Sequence, residues 1–169
     1  MFICTMIFHS PRFALAALWL LASSHSLSAQ DIPHIKAEQI TRWKTADTDT
    51  VLVLNFWATW CGPCVAELKH FEKLTQKYAA QKVKVVLVSA DFKRDVEKKL
   101  KPFVKRKKLK SQVVFMDEPT ANKWIDLVSP DWSGTIPATL IVSKRKGYER
   151  FFEGELTWKQ LEAAVKAGL

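Results

Sequence analysis

Val51-Leu52-Val53-Leu54-Asn55-Phe56-Trp57-Ala58-Thr59-Trp60-Cys61-Gly62-Pro63-Cys64 joins a nearly unbroken apolar run to two cysteines separated by two residues. The run predicts a strand over 50–56 covered on both faces, as central strands of α/β sheets are. Beyond the cysteines, 65–80 is amphipathic at helical spacing, so the stretch reads strand, loop, helix, with both thiols at the helix's first turn. A helix start presents unpaired N–H groups and the positive end of the backbone dipole, and both favour a thiolate over a thiol. Cys61 is thereby placed as a nucleophile. Cys64, one turn further in, can attack a mixed disulfide formed by Cys61 and release the partner.

Three plainer readings of the pair stand beside this one. A structural staple closing so small a loop gains only about 2 kcal/mol by chain entropy, against nearly 5 for a loop of roughly a hundred residues. Half of a zinc site needs further ligands, and His34 and His70 are single residues far from any second cysteine pair. The third is two inert, buried thiols.

The segment 55–64 resembles the active-site segment of the thioredoxin superfamily, in particular its extracytoplasmic TlpA/ResA-like branch. The resemblance runs from about residue 37 to the C-terminus, with a second anchor at Gly134-Thr135-Ile136-Pro137-Ala138-Thr139. It implies an α/β, thioredoxin-like three-layer fold in which a central mixed β-sheet is flanked by helices. It also implies a redox-active Cys61–Cys64 disulfide, and a cis Pro137 packed against it, with the backbone of Ile136 pairing to an extended substrate. Trp60, Gly62 and Pro63 would border that groove, with Trp57 and Trp60 forming an apolar rim. No metal or organic cofactor is implied.

Asn55 stands where cytoplasmic thioredoxins have a buried Asp, and a neutral amide cannot serve as a base. The TlpA/ResA-like branch often pairs Asn here with a Glu three residues after the second cysteine, and Glu67 sits there. A helical wheel singles out the same residue independently. Cys64, Leu68, Phe71, Leu74 and Tyr78 share one arc, and Glu67 falls inside it. Burial would raise its pKa and suit it to exchanging protons with Cys64; the alternative is a carboxylate tilting out to water at the edge of the arc. His70 falls outside the arc and reads as a surface residue. Lys69 departs from the branch, where Pro is common.

Downstream, 82–90 predicts a second strand, joined to the first by a right-handed crossover. A helix follows over 92–110, kinked or broken at Pro102. That segment holds ten Lys or Arg residues against Asp95 and Glu97, and reads either as a solvated face or as a docking surface for acidic partners. A strand over 113–116, a helix over 121–127, a hairpin of 138–142 with 148–152, and a last helix capped by Thr157 complete the domain.

Upstream, residues 1–29 carry Arg12 as their sole charge, then an apolar run over 13–22 too short to span a bilayer, then small polar residues. This reads as a cleaved signal peptide, leaving one domain over 30–169. A short helix over 37–44 is expected before the first core strand. Cys4 leaves with the leader, so Cys61 and Cys64 are the mature chain's only thiols, and an exported chain so poor in cysteine has no disulfide framework. The formal net charge of +9 drops by one with Arg12, which suits acidic partners or an anionic surface. No nucleic-acid-binding motif is present.

These features predict an exported, periplasmic or otherwise extracytoplasmic, monomeric thiol-disulfide oxidoreductase acting on protein thiols and disulfides. Cys61 attacks, Cys64 resolves and Glu67 handles protons. The Gly-Pro linker resembles reducing members, and thioredoxin's potential of about −270 mV contrasts with about −120 mV for a strong oxidant. A reductase in an oxidising compartment needs continuous re-reduction, which the resemblance implies is supplied by a membrane thiol donor. Two other classes stay open: a peptide-binding or chaperone module whose thiols are idle, and a thiol-dependent peroxidase, against which the chain lacks a Pro-x-x-x-Thr-x-x-Cys arrangement.

Overall fold

Every residue of the strand Val51–Trp57 is buried in the computed structural model, which describes residues 31–169. The expected signal peptide over 1–29 lies outside the described residues. In chain order the elements are β1 (His34–Ile35), α1 (Glu38–Thr45), β2 (Val51–Trp57), α2 (Gly62–Lys77), β3 (Val83–Ser89), α3 (Lys101–Lys107), β4 (Gln112–Met116), α4 (Asn122–Val128), β5 (Ala138–Ser143), β6 (Tyr148–Glu153) and α5 (Trp158–Gly168). The strands form one mixed sheet in the order β1-β4-β3-β2-β5-β6. β2 lies inside it, parallel to β3 and antiparallel to β5.

Side chains alternate across a strand, and β2 uses both faces. Val51, Val53 and Trp57 enter one core with Leu68, Phe71 and Leu74 of α2, Phe103 of α3 and Leu161 of α5. Leu52, Leu54 and Phe56 enter the other, with Ile40 of α1 and Trp124 of α4. The second core is strongly aromatic. Phe56, Trp124, Trp132 and Phe151 stack in sequence with ring centroids 4.9–5.8 Å apart.

α2 starts three residues before the sequence-based estimate of 65, because Pro63 falls in its first turn, where a missing N–H costs no hydrogen bond. The helix expected over 92–110 is instead composite. A 3₁₀ turn (Lys93–Asp95) and a π turn (Val96–Leu100) precede α3. Pro102 has no N–H for the carbonyl four residues back and its ring crowds that carbonyl, so the backbone widens just ahead of it. α5 opens on a full capping box, with Thr157 N–H donating to Gln160 Oε1 at 2.9 Å and Gln160 N–H donating to Thr157 Oγ1.

Candidate active site

The loop leaving the C-terminal end of β2 has β3 on one side and β5 on the other, so three strand ends converge on it. Trp57 is level with Ser89, the last residue of β3, and Phe56 with Ala138, the first of β5. Whatever follows β2 is therefore walled by the chain leaving β3 and by the chain that leads into β5. The residues following β2 include Cys61 and Cys64.

Cys61 and Cys64 are joined in a disulfide with Cα atoms 5.3 Å apart. Cys61 is the N-cap of α2, and its Sγ accepts a hydrogen bond from Cys64 N–H at 3.2 Å. No acid occupies the first turn, so nothing there offsets the positive end of the helix dipole. Cys61 retains 7% of its surface and Cys64 none, between an exposed Gly62 and Pro63 and the core beneath. One sulfur borders solvent; the other sits behind it.

The loop into β5 closes the opposite wall. The Ile136–Pro137 peptide bond is cis, Pro137 is buried, and the Ile136 carbonyl oxygen lies 3.8 Å from Cys61 Sγ. Trp132 Nε1–H donates to Thr135 O at 2.8 Å, tethering this loop to the aromatic core. Among the described residues no backbone partner is taken by the N–H or C=O of Ile136.

Under the dithiol lies a buried polar group. Asn55 has the same strand parity as Val53 and Trp57, which turns it toward α2, where it meets Glu67. Glu67 is 2% exposed, so its position on the apolar arc means burial and not an outward tilt. Asn55 Nδ2–H donates to Glu67 Oε1 at 2.8 Å and Leu156 N–H donates to Oε2 at 2.9 Å. Thr139 Oγ1 lies 3.2 Å from Asn55 Nδ2 and ties β5 into the same network. Burial raises the Glu67 pKa above its ordinary value, and the hydrogen bonds from Leu156 and Asn55 offset part of that rise. A cleft of about 140 Å³ beside this group is lined by Glu67, His70, Glu155 and Leu156. His70 is half-buried at that cleft, and burial together with Lys69 and Lys73 lowers its pKa.

One expectation is corrected. Trp57 forms no rim: it is wholly buried, with its ring 5.4 Å from that of Phe103, because its strand parity sends it under α2 and α3. Trp60 is exposed as expected, but its neighbour is Phe92, a residue the sequence reading assigned only to the start of a helix. Asp91 was missed altogether. Its carboxylate accepts from Thr59 N–H at 3.1 Å, from Thr59 Oγ1–H at 2.6 Å and from Ser89 Oγ–H at 2.8 Å, clamping the loop before Cys61 onto the end of β3. An Asp two residues beyond a strand end is a weak signal, and its partner is 32 positions away.

A family profile described as the AhpC/TSA family matches residues 27–147. The chain belongs to that family. The thiol-disulfide oxidoreductase ResA of Bacillus cereus is 31% identical over 113 residues, covering 67% of this chain and 60% of the relative. The thioredoxin-like protein YneN of Bacillus subtilis is 31% identical over 111 residues, 66% of this chain and 61% of the relative. The chain thus spans about 60% of the length of these curated relatives. Among solved structures, a thioredoxin-related protein from Neisseria meningitidis serogroup B superposes with a TM-score of 0.61 at 24% identity, covering 72% of this chain and 86% of that one. The fold is thioredoxin-like, as the sequence predicts.

Proposed function

We propose that the protein is an exported thiol-disulfide oxidoreductase that reduces disulfides in other proteins. The observation that carries this reading is the asymmetric sulfur pair, in which Cys61 borders solvent at the start of α2 and Cys64 is sealed behind it. A metal ligand pair or a staple has no need of that asymmetry, whereas stepwise exchange does.

In the reduced protein the Cys61 thiolate attacks one sulfur of a substrate disulfide. The substrate S–S bond breaks, a mixed disulfide forms, and the first substrate sulfur leaves as a thiolate that takes a proton. Cys64 then gives its proton to Glu67 and attacks Cys61 Sγ, which re-forms the Cys61–Cys64 bond and releases the second substrate thiolate. Two electrons pass to the substrate; the first leaving sulfur takes its proton from solvent, and the second takes the Cys64 proton back from Glu67, which returns to the carboxylate. Glu67 suits the proton step because its raised pKa lies closer to that of a thiol. The Ile136 backbone, beside Cys61 Sγ and without a backbone partner among the described residues, suits an extended substrate segment with Pro137 shaping the groove. Gly62, Pro63 and Trp60 border it, while Asn55 and buried Trp57 support the site from below.

The Gly-Pro linker supports the reducing direction, and the leader-like composition of 1–29 supports export. Both together require a source of electrons to restore the dithiol, a role that suits a membrane thiol donor. The chain acts as a monomer on protein thiols, without metal or organic cofactor. Trapping with Cys64→Ser tests this: mixed disulfides with other proteins through Cys61 are expected, and a redox potential in the range of strong oxidants would reverse the direction. Rapid turnover of hydrogen peroxide without exchange would favour a peroxidase instead.

A further inference from the structure

Two large apolar side chains lie open to solvent beside the active-site loop. Trp60 is 57% exposed and Phe92 56%, with rings 6.3 Å apart and inclined by only 23°. They come from different strand ends, Trp60 from the loop after β2 and Phe92 from the chain leaving β3, and Asp91 binds the two segments together through Thr59. The ledge is therefore pre-organised, so a ligand settling on it has little ordering cost to meet.

A cation completes it. The Arg94 guanidinium sits 5.2 Å from the Phe92 ring centroid, and no carboxylate of the described residues lies within ion-pair distance of it. The acids nearest in sequence are already engaged: Asp91 with Thr59 and Ser89, Asp95 with Lys99 at 3.1 Å, Glu97 with Lys101 at 2.6 Å. Lys93 pairs with Asp117 at 3.0 Å. Among the described residues, Arg94 thus stands beside the aromatic pair without an ion-pair partner, at the head of a segment holding ten Lys or Arg residues.

We infer that Trp60, Phe92 and Arg94 form a specificity wall that selects polypeptide substrates whose reactive cysteine is flanked by an acidic side chain. This deepens the exchange reading and rests on it. The Ile136 backbone on the β5 side would hold the extended segment, while the ledge on the β3 side receives the side chains next to the reacting sulfur, the apolar part on the rings and the carboxylate on Arg94.

The test uses the reduced protein and three synthetic disulfide-bonded peptides identical except for Glu, Gln or Lys beside the cysteine, with hydroxyethyl disulfide as a small uncharged substrate. Wild type is expected to favour the Glu peptide over the Gln peptide, and Gln over Lys, by about three- to fivefold per step in kcat/KM, the range of a partly exposed ion pair. High salt is expected to compress the series. Arg94→Glu should invert the order, and Phe92→Ala should raise KM for all three peptides. Lys144→Glu, an exposed charge reversal in the β5–β6 turn at the far end of the sheet, should leave the order unchanged. Equal rates for the three peptides, or an equal response to Lys144→Glu and Arg94→Glu, would overturn the inference while leaving exchange intact. Failure of wild type to reduce hydroxyethyl disulfide would instead overturn the exchange reading, and the wall with it.

Discussion

The two faces of β2 are built from the same seven residues to opposite ends. On one, Phe56 meets Trp124 and Trp132 in an aromatic stack with no ionisable group. On the other, Asn55 meets a buried carboxyl, Glu67, a turn along α2 from Cys64. Burying a carboxylate costs stability, and hydrogen bonds from Asn55 and Leu156 recover only part of it. The aromatic face has the large apolar burial that can offset such a cost. One face holds the domain together, and the other holds a group that a purely structural core would exclude.

The largest expected effect breaks the chemistry alone. Cys61→Ser is expected to abolish disulfide reduction while leaving the thermal midpoint of reduced wild type within a few degrees, measured by insulin turbidity and calorimetry. Next in size, Trp124→Ala attacks the aromatic face and should cost about 3–5 kcal/mol in denaturant unfolding, yet leave the exchange rate of the folded fraction intact. If it slowed exchange as much as it destabilised, the two faces would not be separable.

Glu67→Gln is expected to slow resolution of the mixed disulfide by about 10- to 100-fold and to shift the rate's pH profile. It also sharpens the comparison through stability. Glu67 titrates higher in the folded chain than in the unfolded one, so between the two values the native state holds the extra proton. Wild-type stability from this group is thus fully present below its unfolded pKa and lost as pH rises through the folded one. Relative to Glu67→Gln, wild type should lose stability from mildly acidic to neutral pH, as read from unfolding curves across that range. A flat difference would mean that burial does not raise the pKa of this carboxyl.

The smallest effect concerns a residue that ties the aromatic face to the loop before β5. Trp132 packs in the aromatic stack and donates Nε1–H to Thr135 O, next to Ile136. Trp132→Phe keeps most of the packing and removes that hydrogen bond, with an expected cost of about 1 kcal/mol and a raised KM for peptide disulfides but not for hydroxyethyl disulfide.

Much of this arrangement is written locally. The apolar run ending at Phe56 fixes a strand covered on both faces, the cysteines fall at a helix start, and Glu67 lies on an otherwise apolar arc of that helix. Those signals span a few residues each, and periodicity reads them directly. Trp57 shows where local reading stops: its aromatic character suits a rim or a core equally, and only the β2 parity relative to α2 and α3 decides for the core. Asp91 and Leu156 N–H are further still from reach. Their partners, Thr59 and Glu67, lie 32 and 89 positions away, and no pattern within one element pairs them. The π turn before Pro102 was legible as a break but not as a geometry.

Stepwise exchange requires that Cys61 be ionised and reachable while Cys64 is neither. Iodoacetamide alkylation of the reduced, folded protein across pH 5 to 9, with mass spectrometry to locate the label, tests it most directly. A single label on Cys61 is expected, added with a midpoint well below the about 8.5 of a free thiol, and none on Cys64 until the chain unfolds. Labelling of both sulfurs together at the pace of a free peptide, or of neither, would contradict it.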